Sequence, residues 1–209
     1  AFVRKINTSI ATHIFVGGSE VSDGQTDAVV TEVKEHTPLP VIVFPGDIDQ
    51  ITEKADALLF LSLISGRNPE YLIGKHVEAV SKLKGIDLEV IPTGYMLIGN
   101  GNQTSVERIS NTTPISRTNT QMAVDTAQAG VYLGLQMMYL EAGSGAEYPV
   151  PLDMIHQVKT TVKVPLVVGG GIRSKQQLQE VYDAGADLVV IGTALENDES
   201  FFNDIKRNI

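Results

Sequence analysis

The chain of 209 residues contains no cysteine and no tryptophan. Without cysteine there can be no disulfide and no thiolate metal site. Long apolar runs are missing as well: no stretch reaches the roughly 18 residues of a membrane-spanning helix. No secretory signal pattern opens the sequence, whose first residue is Ala1. Positive charge is scarce, with 16 Lys and Arg against 25 Asp and Glu and a net charge of −9. Non-specific nucleic-acid binding needs clustered basic side chains, so no nucleic-acid partner is expected. There is no P-loop, no GxGxxG pattern and no Ser-His-Asp arrangement. His13, His36, His76 and His156 are scattered without ligand spacing and read as structural or surface residues.

An acidic balance still leaves phosphorylated substrates open, because glycine loops and helix N-termini hold phosphate through backbone N–H groups. With 43% hydrophobic and 20% charged residues, the chain suits one soluble globular domain over 1–209 with a sizeable core. A cytoplasmic location fits.

Seven short apolar runs recur along it: HIFVGG (13–18), PVIVFPG (40–46), ADALLFLSLI (55–64), LEVIPTGYML (88–97), QMMYLEAG (136–143), VPLVVGGG (164–171) and ADLVVIG (186–192). Most are rich in Val, Ile and Leu without polar alternation, the mark of parallel strands covered on both faces. Helical segments lie between them. PLDMIHQVKTTV spans 151–162, and in KQQLQEVYDAG (175–185) Leu178, Val181 and Tyr182 repeat at helical spacing before Gly185. Strand–helix alternation predicts an α/β domain.

A doubly wound sheet usually carries its phosphate loop after the first strand. Here the glycine-rich loops follow the last three runs, which favours a (β/α)8 barrel, where the loops after strands seven and eight commonly bind phosphate. AFVRKINTSIAT reads as the end of a helix, so seven strands are counted and the first barrel strand is expected upstream of residue 1. Two connections look irregular. DIDQITEK (47–54) is barely long enough for a helix. GNGNQTSVERISNTTPISRTNT (99–120) is long and polar, on the face expected to be active.

VVGGGI followed by RSKQQLQEVY ends a buried strand in three glycines and starts a helix near Ser174. It can cradle a phosphate or be a tight turn without a ligand. VIGTALE repeats the arrangement one unit later, and the pair together points to phosphate. Glu141 closes an earlier strand just before AGSG. A carboxylate repels phosphate, so it should face another part of the substrate, such as a glycerol-like hydroxyl whose proton it accepts. Otherwise it is a strand-end carboxylate paired with a lysine or capping a helix. Tyr139 has the same parity on the strand and can point to the same side. In FVGGSE (15–20), Ser19 can bind a metal or diphosphate, or cap the next helix. Arg67 can engage a phosphate, while Asn68–Pro69 can simply start a helix.

Taken together, IFVGGS, VIVFPG, ADALLFLSLISGRNPEYLIG, IPTGYMLI, YLEAGSGA, PLVVGGGIRS and VVIGTALE closely resemble the geranylgeranylglyceryl phosphate synthase family, in its second group found in archaea and some bacteria. The resemblance runs in order over nearly the whole chain. It implies a modified (β/α)8 barrel with one outer helix replaced by a less regular segment. The implied activity is a prenyltransferase that joins sn-glycerol 1-phosphate to geranylgeranyl diphosphate, or a similar long prenyl diphosphate, and releases diphosphate with the help of magnesium. The implied glycerol phosphate site falls on Tyr139, Leu140, Glu141, Ala142, Gly143, Ser144 and Gly145, on Gly170 and Gly171, and on Gly192 and Thr193, with Glu141 as base. The implied magnesium ligand is Ser19. Its partner is an aspartate of an IDPDK-like motif absent from this sequence and expected upstream with the first strand. Homo-oligomers, dimers or hexamers, are also implied. LLFLSLI and GYMLI are candidates for a prenyl groove, although core packing explains them equally well.

Two other readings remain at this point. One is a different phosphate-binding barrel enzyme sharing the two C-terminal loops. The other is a non-catalytic phosphate- or lipid-binding barrel.

Overall fold

A computed structural model describes residues 2–18, 21–22 and 24–207. The chain divides into two compact units, one of residues 1–60, 73–91 and 205–209, the other of 61–72 and 92–204.

The first unit opens with α1 (Phe2–Asn7), the helix end read from AFVRKIN, then β1 (Ile14–Val16), α2 (Gln25–His36) and β2 (Val41–Val43). β3 (Ala57–Leu63), α3 (Lys75–Leu83) and β4 (Glu89–Leu97) follow; the chain passes between units within β3 and β4. β1 pairs in parallel with β2, Phe15 opposite Ile42, and β2 with β3, Val43 opposite Leu58. Val41, Val43 and Leu58 are fully buried against Val30 of α2 and Ala55. An uninterrupted Val-Ile-Val strand is what coverage on both faces requires. The short 47–54 connection forms one 3-10 turn, Ile48–Gln50, capped by the Asp47 carboxylate accepting from the Ile48 N–H at 2.6 Å. That is all its length allows.

In the second unit β4, β5 (Met137–Glu141), β6 (Leu166–Gly169) and β7 (Leu188–Val190) are parallel neighbours in chain order. The connections hold α4 (Ser105–Ser110), α5 (Thr120–Tyr132), α6 (Leu152–Thr161) and α7 (Lys175–Asp183); α8 (Thr193–Asn197) follows β7. Met138, Leu140, Leu166, Val167 and Val168 are fully buried. α7 begins where expected: the Ser174 hydroxyl accepts from the Gln177 N–H at 3.2 Å, and Leu178 and Val181 face the core. The 99–120 stretch is less irregular than its composition suggests. It contains α4, closed by a capping box in which Thr104 and Glu107 satisfy each other's backbone N–H groups.

All seven apolar runs are strands, each followed by a helical or irregular connection, which is the repeat of the expected barrel class. No helix among the described residues is long and apolar enough to cross a membrane.

Candidate active site

β5 puts Tyr139 and Glu141 on one face and Leu140 on the other, because side chains alternate along a strand. Leu140, on the opposite face, is fully buried. Parallel register sets Tyr139 beside Tyr95 of β4, and the rings meet edge to face with centroids 5.4 Å apart. On the other side Glu141 lies opposite Gly169. A Cβ at Gly169 would come within 2.5 Å of the Tyr139 hydroxyl and 2.6 Å of Glu141 Oε2. Glycine there leaves room for those two groups.

Glu141 is buried, and no lysine neutralises it among the described ion pairs. The Gly143 N–H donates to its Oε1 at 2.7 Å, and the Tyr139 hydroxyl donates to the carboxylate. Burial pushes the Glu141 carboxyl above its ordinary value, and those two donors offset part of the rise. Burial also holds the Tyr139 phenol well above its usual range, helped by the charges of Glu141 and Tyr95, so it stays a donor. A dehydrated carboxylate with a raised pKa, oriented by a phenol and a backbone N–H, is suited to accept a proton from a substrate hydroxyl.

The glycine loops gather around this carboxylate. Gly170 adopts φ +85°, and a Cβ there would lie 2.5 Å from Glu141 Oε1 and 2.8 Å from the Gly143 backbone. The site therefore demands glycine both for conformation and for space. Ser144 Oγ lies 3.0 Å from Thr193 Oγ1, which joins the loop after β5 to the start of α8 beyond Gly192. Asn100, buried in the loop after β4, donates from Nδ2 to the Ala142 carbonyl and accepts from the Asn102 N–H at 3.0 Å. Tyr139 through Gly145, Gly170, Gly171, Gly192 and Thr193 thus all belong to the second unit, at the end of β5 and in the segments after β5, β6 and β7.

Other sequence candidates fare differently. Ser19 lies outside the described residues. Gly18 before it is held on both sides: Gln50, itself buried, accepts from the Gly18 N–H at 3.4 Å and donates to the Gly18 carbonyl at 2.9 Å, and also accepts from the Gly46 N–H at 3.2 Å. Arg67 donates to the carbonyls of Ile64 and Gly66 at 2.7 and 2.6 Å, and Asn68 Oδ1 accepts from the Glu70 N–H at 3.1 Å. The structure thus gives Asn68 the helix-starting role and sets Arg67 on backbone. His76 packs edge-on against Phe60 with centroids 4.5 Å apart. Among the described residues, one group of three carboxylate and imidazole ligands lies close together: Glu32, Glu35 and His36, exposed on α2. Their spacing is that of ordinary neighbours on a helix surface. Leu58, Leu59, Met96 and Leu97 of the two groove candidates are buried in packing.

Sequence reasoning missed Tyr95, Asn100 and Arg173. Tyr95 needed the β4–β5 register, and Asn100 sits in a polar loop with no periodicity. Arg173, in the segment after β6, donates from Nη2 to the carbonyls of Gly145 and Ala146 at 3.1 and 2.8 Å.

The PcrB family model matches residues 2–209. A geranylgeranylglyceryl phosphate synthase from Flavobacterium johnsoniae is 56% identical over 95% of this chain and 82% of its own length. A namesake from Pyrococcus furiosus is 44% identical over 88% of this chain and 73% of its own. Among solved structures, (S)-3-O-geranylgeranylglyceryl phosphate synthase from Thermoplasma acidophilum, in complex with sn-glycerol-1-phosphate, superposes with a TM-score of 0.91 at 32% identity, covering 98% of this chain and 82% of that one. The fold is therefore the modified (β/α)8 barrel expected, with seven strands among the described residues. The chain belongs to the PcrB family.

Proposed function

We propose that this protein is a prenyltransferase that joins sn-glycerol 1-phosphate to geranylgeranyl diphosphate, or a similar long prenyl diphosphate, through an ether bond. The observation that carries the reading is Glu141, buried, bonded to Tyr139 and Gly143, and adjoining the glycine loops. Family and structural relatives named for this reaction support it.

Phosphate would lie against the backbone of Gly170 and Gly171, of Gly192 and Thr193, and of the Ser144–Gly145 turn. The glycerol portion would reach Tyr139 and Glu141. The name of the Thermoplasma relative places the ether on O3. Applied here, the C1–O bond of the prenyl diphosphate breaks and its electron pair leaves with diphosphate. The glycerol O3 bonds to C1, and its proton passes to Glu141. Positioning and charge stabilisation supply most of the acceleration.

A divalent metal, magnesium by the family resemblance, would stabilise the departing diphosphate. Its proposed ligand is Ser19. The adjoining Gly18 offers a backbone braced by Gln50 and no carboxylate, and the proton step belongs to Glu141 and its neighbours alone. A homo-oligomer, dimer or hexamer, and a cytoplasmic location belong to the same reading.

The test is product formation by the full-length protein with magnesium, geranylgeranyl diphosphate and either sn-glycerol 1-phosphate or its sn-3 enantiomer. Ether and diphosphate should form in equal amounts from the sn-1 compound in preference. No ether, with glycerol phosphate still bound, contradicts prenyl transfer and returns the protein to the other phosphate-binding barrels.

A further inference from the structure

Arg173 joins the loops after two neighbouring strands. It stands three residues after Gly170 and one before the Ser174 cap of α7. Its guanidinium donates to three successive carbonyls of the loop after β5: Gly145 at 3.1 Å, Ala146 at 2.8 Å and Glu147 at 3.5 Å. Its own N–H donates to Gln177 Oε1 at 2.8 Å, which anchors the residue to the first turn of α7. Among the described residues Arg173 forms no ion pair. A full positive charge is therefore spent on backbone in a protein of net charge −9. The planar fork of guanidinium reaches several acceptors at fixed angles, which a lysine ammonium does not.

The bonded loop is the one whose geometry the site needs. Gly143 supplies the N–H on Glu141, Ser144 reaches Thr193, and the Ala146 N–H closes the turn onto the Gly143 carbonyl at 3.1 Å. Gly145 has φ +70°, a conformation with little intrinsic preference to hold the turn by itself. Each carbonyl shares its peptide plane with the next residue's N–H, so the guanidinium also fixes the Ala146 N–H that closes the turn onto Gly143, and through it the Ser144–Gly145 segment enclosed by that turn.

We propose that Arg173 is a positioning residue for the acceptor substrate: it straps the loop after β5 to the segment after β6, so that the backbone cradle for a phosphomonoester dianion exists before the ligand arrives, and its unpaired charge adds to the attraction. The inference rests on the proposed function and names the substrate whose binding it governs. Preorganisation of this kind lowers the cost of binding one ligand and leaves the other substrate untouched.

The experiment compares full-length wild type, Arg173→Ala and Arg173→Lys. It measures calorimetric binding of sn-glycerol 1-phosphate alone, steady-state constants for both substrates, and thermal midpoints. Arg173→Ala should weaken glycerol phosphate binding about tenfold or more, with the KM for prenyl diphosphate within about twofold. Guanidinium ion added at millimolar concentration should restore part of the loss. Arg173→Lys, keeping the charge without the fork, should fall between the two. Unchanged glycerol phosphate binding in a folded Arg173→Ala protein would overturn the proposal. So would wild-type binding in Arg173→Lys, or a loss shared equally by both substrates and tracking the thermal midpoint. Wild type that binds no glycerol phosphate overturns the functional reading itself.

Discussion

The starts of the strands and their ends are built on different plans. In the first unit Asp56 accepts from the Val41 N–H at 2.8 Å, at the head of β2, and pairs with Lys34 of α2 at 2.6 Å. In the second unit Asp187 accepts from the Leu166 N–H at 2.7 Å, at the head of β6, and pairs with Lys159 of α6 at 2.6 Å. The same Ala-Asp step before a strand, with a lysine from the preceding helix, appears in both. For each aspartate burial alone would raise the pKa, but the lysine and the strand N–H hold it below the usual value. At the strand ends glycines recur, but the side chains that hold them differ. After β1 the Gln50 side chain braces Gly18 and Gly46; at the end of β5 the buried Glu141 and Tyr139, with Arg173 from the segment after β6, hold the loop that follows. A stabilising device can recur because every strand start poses the same problem. A site is singular because it fits one ligand, which agrees with the division of labour in (β/α)8 barrels.

Substitutions at the ends should therefore cost function, and those at the starts only stability. Gly170→Ala should have the largest effect. Its methyl must displace Glu141 or the Gly143 backbone at a positive φ, so activity should be lost along with about 1–3 kcal/mol of stability, measured by turnover and denaturant unfolding. Gln50→Leu leaves the Gly18 and Gly46 N–H groups without their acceptor and should cost about 1–3 kcal/mol. It should raise the KM for prenyl diphosphate while glycerol phosphate binding holds, which separates the two loop systems.

Glu141→Gln should raise the thermal midpoint at neutral pH. A carboxyl whose folded pKa is raised favours folding below its unfolded value, and that contribution is lost as pH rises through the folded one. The gain should accordingly vanish on acidification below the ordinary glutamate value of 4.5. A constant gain at all pH values would place its cause elsewhere. Lys34→Met and Lys159→Met should each cost about 0.5 kcal/mol or less, since both pairs are partly exposed, and should leave turnover unchanged. The stability owed to the aspartates is present above their unfolded pKa and fades as pH falls through the lowered folded values, below the usual 3.8.

Strands were legible because short runs of Val, Ile and Leu without polar alternation fit few elements other than a strand covered on both faces. Their limits were not: HIFVGG gives a strand of three residues, Ile14–Val16, since glycines leave the ladder. α4 was hidden because six residues show no periodicity, although the Thr104–Glu107 capping box stands in the sequence. Glu141 and Tyr139 could be paired by strand parity alone. Tyr95 entered only through register, and Arg173 through the path of a loop that lies 28 residues earlier in the chain.

The most direct test of the central claim is the single-turnover rate of Glu141→Gln, with both substrates saturating and glycerol phosphate binding measured alongside. If Glu141 takes the hydroxyl proton, the rate should fall by a factor of about 100 or more with the acceptor's affinity nearly unchanged. A rate within a few-fold of wild type would contradict the assignment and leave the buried carboxylate a binding role at most.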